Sequence, residues 1–131
     1  MIGNKTIGVA IPCYKGGKSI LRTVLDSLEH AELVVVVDDA CPLGTGDLLL
    51  KKINSPKLKV IFNKVNLGVG ASTKIGFNWL IHNNIDLIIK IDADGQLNPS
   101  DIPRMSKPIL KNSCECTKGN RFTSPQKIKL I

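Results

Sequence analysis

Short apolar runs alternate with amphipathic segments along the whole chain. Thr6 to Ile11 (TIGVAI) is a β-branched run closed by Pro12, which predicts a buried strand. SILRTVLDSLEH follows, with Ile20, Leu21, Val24, Leu25 and Leu28 at helical spacing and Ser19 as the expected N-cap. ELVVVVDD predicts a second buried strand ending in Asp38 and Asp39, GDLLLKKI a short helix, and KLKVIFN a third strand. GASTKIGFNWLIHNN reads as a helix closed by Asn83 or Asn84, and DLIIKI as a fourth strand. NPSDIPRMSKPILKN reads as a helix capped by Asn98, with Pro99 in its first position and a kink expected from Pro103 and Pro108. CTKGNRF is placed as a fifth strand.

Strands that are apolar throughout, alternating with helices, predict an α/β fold: a Rossmann-like, mostly parallel sheet with helices on both faces. No internal boundary is visible, so residues 1–122 are read as one domain and 123–131 as a tail. In such sheets ligands bind beyond the C-terminal ends of the strands. The polar residues follow that rule, because PCYKGGKS, DDACPLGTG, NKVNLGVG and DADGQ each follow a strand. Lys90 is the odd residue. It interrupts LIIKI inside an expected central strand, so it needs an acidic partner or a less buried face.

Composition narrows the classes. The 131 residues suit one core, and no apolar stretch approaches the roughly 20 residues that span a bilayer. The first residues lack a leader pattern, so a cytoplasmic location is expected, with peripheral contact at the cytoplasmic face of a membrane. Cys13, Cys41, Cys114 and Cys116 are too few and too irregularly placed for a disulfide framework and are read as reduced. Net charge is +7; beyond Asp101 the basic residues Arg104, Lys107, Lys111, Lys118, Arg121, Lys127 and Lys129 face one acid, Glu115. This basic segment is either a solvated face or an attractor of phosphate, on a nucleotide, a lipid headgroup or a membrane. Nucleic acid is not expected, since no aromatic residues are interleaved for base stacking.

Candidate chemistry lies at the strand ends. Asp92 and Asp94, separated by Ala93, make an oxygen cluster of the kind that hard divalent cations favour, though the same acids can close a turn and cap a helix. Asp38 and Asp39 can cap the next turn, where Gly44 and Gly46 permit tight geometry, or serve a base or a metal. NLGVGAS places Gly68 and Gly70 before a helix, where backbone can approach a phosphate; Lys74 is either a phosphate contact or a solvated surface lysine. His30 and His82 stand alone, and no Ser/His/Asp or Cys/His set has suggestive spacing.

Taken in order, IPCYKGGKSI, VVVVDDACPLGTGDLL, NLGVGASTKIGF, IKIDADGQLNPSDIPRM and TKGNRF resemble the family-2 glycosyltransferases, across nearly the whole chain. The branch most similar transfers a sugar from a nucleotide to a polyprenyl phosphate, as dolichyl-phosphate mannose synthases do. The resemblance implies a GT-A fold in which Asp92 and Asp94 form a DxD motif holding Mg²⁺ or Mn²⁺, with Gln96 as a further metal neighbour. It implies that Asp39 binds the base of a UDP- or GDP-sugar, that Pro12 and Tyr14 line the nucleotide pocket, and that Arg121 lies near the acceptor phosphate. Gly68, Lys74, Asp92 and Ala93 complete the expected donor site, with Asp94 and Arg121 as the expected catalytic residues.

The sequence departs from the family in two ways. Lys15 and Gly16 stand where the family's first loop usually carries Asn and Glu, and the chain stops soon after GNRF, before the family's acceptor-binding half. The expected activity is metal-dependent inverting transfer of a sugar to a polyprenyl phosphate. The alternatives are a truncated, non-catalytic nucleotide-binding half-domain and a transferase acting on a hydroxyl. A sugar-nucleotide pyrophosphorylase fits PCYKGGKS poorly, and a receiver domain would carry its acidic pair on the first strand rather than the second.

Overall fold

The computed structural model describes residues 3–15, 17–93 and 98–111. The elements are β1 (Ile7–Cys13), α1 (Ile20–His30), β2 (Leu33–Asp38), α2 (Thr45–Lys52), β3 (Leu58–Phe62), α3 (Val69–His82), β4 (Leu87–Lys90) and α4 (Ile102–Leu110). Short 3₁₀ turns, Gly17–Ser19 and Pro99–Asp101, lead into α1 and α4. The strands form one parallel sheet in the order β3-β2-β1-β4, in accord with the expected α/β class.

Both faces of the sheet are covered, which explains why the strands read as apolar throughout. Val9, Ile11, Val34, Val36 and Val60 point to one face and pack with Ile20 and Val24 of α1, Leu49 of α2 and Ile102 of α4. Ala10, Val35 and Val37 point to the other and pack with Leu80 of α3. Here α3 lies close to the sheet because residue 76 is glycine. A Cβ there would stand 3.1 Å from that of Ala10.

Pro12 does not end β1, as the sequence reading expected; the strand continues through Cys13, paired with Asp38. What Pro12 ends is the ladder to β4. Thr6 and Ala10 accept from Leu87 and Ile91 of the β4 segment, whereas Ile7 and Cys13 accept from the β2 side. Even-numbered positions of β1 therefore face β4, and Pro12 has no N–H to extend that ladder. Pairing stops at Ala10 and Lys90, and Asp92 and Ala93 leave the sheet.

Three other expectations change. Ser19 makes no side-chain cap for α1; its hydroxyl donates instead to the Ala93 carbonyl at 3.0 Å. Asn98 does cap, but its side chain accepts from Ser100 N at the head of a 3₁₀ turn. Pro103 then falls in the first turn of a separate α4, where a missing N–H costs nothing, while Pro108 lies inside that helix. Lastly, β4 is an edge strand of the described sheet, and Lys90 is partly exposed there. The expected fifth strand and the boundary at residues 122–123 lie outside the described residues.

Candidate functional site

The chain steps outward from β1 to β2 to β3, then returns to place β4 on the far side of β1. Parallel sheets bind ligands where the order reverses in this way, beyond the strands' C-terminal ends. A cleft of about 280 Å³ opens at that point. Pro12, Cys13, Tyr14 and Lys15 line it from β1, Asp39 from β2, Val69 and Ser72 from the first turn of α3, and Asp92 and Ala93 from β4. The structure thus brings together Pro12, Tyr14, Asp39, Asp92 and Ala93 of the residues singled out from the sequence. Lys74 is exposed on α3, outside this lining, and Gly68 stands behind it as a donor to Asp39. Asp94, Gln96 and Arg121 lie outside the described residues.

Asp39 is the most heavily engaged carboxylate in the cleft. Its Oδ1 accepts from the Asn63 amide at 2.9 Å and from Leu67 N at 2.7 Å, and its Oδ2 from Gly68 N at 2.9 Å. The Asn63 amide also donates to Ser72 Oγ at 3.1 Å, so one network joins β2, the loop after β3 and the start of α3. Burial pushes the Asp39 carboxyl upward, but the Leu67 N–H, the Asn63 amide and the Gly68 N–H together outweigh it. The group is held below its ordinary range and stays ionised although only 3% exposed. Gly68 sits at φ +95°, a conformation that suits glycine and lets two successive N–H groups face one carboxylate.

Asp38 does the capping work that the sequence left open between the two acids. Its Oδ1 accepts from Cys41 N at 2.8 Å and its Oδ2 from Gly46 N at 2.9 Å, which fixes the turn and the head of α2. Cys41 in turn ties the β2 loop to the β1 loop: its sulfur accepts from Lys15 N at 3.2 Å and pairs with Thr45 Oγ1 at 3.2 Å. Burial raises the Cys41 thiol, yet the Thr45 hydroxyl and the surrounding N–H groups more than offset this and hold it below the usual thiol range. Cys13 and Cys41 are not joined to each other by a disulfide, and Cys114 and Cys116 lie outside the described residues. Lys15 adopts φ +54° and sets its ammonium 5.5 Å from the Tyr14 ring centroid, a cation–π contact at the cleft mouth.

Asp92 differs from both other acids. Its Oδ1 meets the Lys90 ammonium at 3.0 Å, and its side chain is 43% exposed. Among the described strand-end carboxylates, Asp38 and Asp39 are held by N–H donors, whereas Asp92 meets a lysine and stays partly exposed, an environment compatible with a divalent cation. Among the described residues no group of three or more His, Cys, Asp or Glu is placed to hold a metal. Sequence reasoning took Ser19 only as a helix cap and missed Asn63 and Ser72 as parts of the site. Ser19 and Ser72 carried no signal beyond being small and polar near helix starts, whereas Asn63 was visible as a polar residue closing an apolar strand.

The chain matches the family model described as glycosyl transferase family 2 over residues 8–131. Similar curated proteins include an undecaprenyl-phosphate mannosyltransferase of Micrococcus luteus, 31% identical over 76% of this chain and 42% of that protein. A UDP-N-acetylglucosamine–dolichyl-phosphate N-acetylglucosaminyltransferase of Methanococcus voltae is 28% identical over 98% of this chain and 57% of its own length. A polyprenol monophosphomannose synthase of Mycolicibacterium smegmatis is 29% identical over 74% of this chain and 38% of its own. The chain therefore spans about half the length of such relatives or less. Among solved structures, S. aureus TarS 1-349 superposes with a TM-score of 0.60 at 22% identity, covering 82% of this chain and 33% of that one. That likeness supports the fold.

Proposed function

The chain belongs to glycosyl transferase family 2, and from that membership we propose that it is the nucleotide-sugar-binding part of an enzyme that glycosylates a polyprenyl phosphate. The observation that carries this reading is the cleft at the switch point, where Pro12, Tyr14, Asp39 and Asp92 converge from separate strands. The relatives' names differ in the sugar, mannose or N-acetylglucosamine, but agree on a polyprenyl, dolichyl or undecaprenyl phosphate. The common element, a lipid phosphate acceptor, is therefore the part of their chemistry assigned to this protein. The donor is a UDP- or GDP-sugar; TarS has also been crystallised in complex with UDP.

In this reading Tyr14 and Pro12 flank the base and ribose, and Asp39, on the cleft wall, accepts a hydrogen bond from the base. The Asp39 network holds the α3 N-terminus beside the cleft, where the positive end of the helix dipole favours a diphosphate. Asp92, with Asp94 and Gln96, would hold Mg²⁺ or Mn²⁺. When bound, such an ion would supply Lewis-acid neutralisation of negative charge on the leaving nucleoside diphosphate. A phosphate acceptor is already anionic and needs little help from a general base. In-line attack by that phosphate inverts the anomeric centre. Arg121 is assigned to the acceptor phosphate, and residues 1–122 to this domain.

Among the described residues no helix is long and apolar enough to cross a membrane. The lipid acceptor nonetheless places the working enzyme at a membrane surface, on the cytoplasmic side where nucleotide sugars are found. Calorimetry with UDP, GDP and their sugars, with and without Mn²⁺, tests the donor site. Metal-dependent binding that Asp94→Asn abolishes is expected; equal binding by the variant, or without metal, overturns the DxD assignment. Incubation with undecaprenyl phosphate and a labelled donor then tests transfer. Binding without transfer would favour a donor-binding half-domain.

A further inference from the structure

At the edge of the cleft, Asp92 takes part in a charge relationship that donor binding does not explain. Lys90, the last residue of β4, sets its Nζ 3.0 Å from Oδ1 of Asp92, two residues along the chain. Lys90 stands in register with Ala10, on the sheet face covered by α3, and Ile88 on the same face packs into the apolar cluster there. On this edge strand the ammonium stays within reach of solvent, so burial does not force Lys90 to pair. The two side chains are 39% and 43% exposed, and ion pairs that wet contribute little to folding stability. Stability is thus a poor reason for the pair.

The other carboxylates at the strand ends sharpen the contrast. Asp38 and Asp39 are held by N–H groups that cannot leave without unfolding their loops. Asp92 is held by a cation on a flexible four-carbon stem, which can swing away. A divalent ion reaching Asp92 finds its carboxylate already neutralised, and the two cations repel at contact distance.

We propose that Lys90 is a positioning residue: a built-in counter-ion that holds Asp92 in the metal-free cleft and must be displaced for a divalent cation to bind. The proposal deepens the reading of Asp92 as a metal-holding carboxylate and rests on it. Lys90 in this role weakens the grip on free metal and keeps Asp92 aimed until the cation arrives. Once displaced, its charge stays two residues from Asp92, so the loaded site is more positive than the metal alone would make it. A nucleoside diphosphate is the ligand such a site favours.

Mn²⁺ binding, followed by the electron paramagnetic resonance of the free ion, tests the idea without any activity assay. Lys90→Met and Lys90→Gln are expected to bind Mn²⁺ about threefold to fivefold more tightly than the wild type, the size of effect a partly exposed ion pair supports. Lys90→Arg should stay within about twofold of wild type, because it keeps the charge. The gain from Lys90→Met should vanish in a background of Asp92→Asn, and melting temperatures should stay within about 2 °C, since the pair holds little of the fold. If the wild type binds Mn²⁺ through Asp92 but Lys90→Met and Lys90→Gln bind it equally or less well, the counter-ion role is wrong and the metal assignment survives. If wild type and Asp92→Asn behave alike, the metal reading of Asp92 fails and this inference fails with it.

Discussion

Leu67 donates its backbone N–H to the Asp39 carboxylate at 2.7 Å, across 28 positions of sequence. With the Gly68 N–H and the Asn63 amide on the same carboxylate, this bond fixes the loop between β3 and α3 to the end of β2. The loop sets where α3 begins, and α3 begins at the cleft: its residues Val69 and Ser72 are part of the wall. One buried acid therefore shapes the site before any ligand touches it.

Removing that acid should cost both stability and binding. Asp39→Ala strands three donors in a buried network, and a loss of about 2–4 kcal/mol in urea denaturation is expected. Nucleotide affinity should fall as well, since the α3 N-terminus loses its anchor. Asp39→Asn keeps the shape but turns one acceptor into a donor that faces N–H groups, so it should fall between wild type and alanine.

The same acid gives a pH signature. Its folded pKa lies below the ordinary 3.8, so it binds fewer protons in the folded chain than in the unfolded one. Its stabilisation is present above the ordinary value and is lost as pH falls through the depressed one. Asp86 acts in the same direction, its carboxyl lowered first by the Thr6 N–H and then by the Thr6 hydroxyl. Melting temperature should therefore drop below about pH 4, and the drop should be shallower, not absent, in Asp39→Asn.

Gly46 offers a test of packing alone. A Cβ there would lie 2.7 Å from Asp38 Oδ2 and overlap the Phe62 ring. Gly46→Ala should destabilise by about 1–3 kcal/mol, because the carboxylate that caps α2 must move. Gly70→Ala has open space around its added methyl and serves as the matched control, expected to be near neutral in the same melts.

Legibility from sequence followed how local the cause was. The strands were readable because residues such as Val34, Val35, Val36 and Val37 are buried on both faces, which leaves an unbroken apolar run. The convergence of Pro12, Tyr14, Asp39 and Asp92 was readable from one rule about parallel sheets. Pair-specific geometry was not. Nothing in the letters says that Pro12 breaks one ladder and spares the other, since that depends on which neighbour its N–H would have faced. Nor do they say which of Asp38 and Asp39 caps a helix, because both choices satisfy the same local preferences. Ser19 looked like a cap because caps are local; its actual partner, the Ala93 carbonyl, is 74 residues away.

Tyr14 should matter for nucleotide binding far more than for folding. Its ring is 47% exposed at the cleft mouth, so Tyr14→Ala removes little buried area. An aromatic contact with a base is worth about 0.5–1.5 kcal/mol, so a threefold to tenfold loss of UDP or GDP affinity is expected, with an unchanged melting temperature. Tyr14→Phe should bind like the wild type if the ring face carries the contact. Calorimetry on the two variants decides it.

Ser19 couples the start of α1 to the loop that carries the acids. Its hydroxyl holds the carbonyl of Ala93, the residue directly after Asp92 and on the cleft wall. Ser19→Ala should cost no more than about 1 kcal/mol of stability, the net worth of an ordinary hydrogen bond. Its larger effect should be on the cation. With Ala93 released, Asp92 is less well positioned, and Mn²⁺-dependent nucleotide binding should weaken while metal-free nucleotide binding stays as it was. A Ser19→Ala variant that loses both equally would place the bond in the support of the whole cleft; one that loses neither would show that the Asp92 loop holds its shape without it.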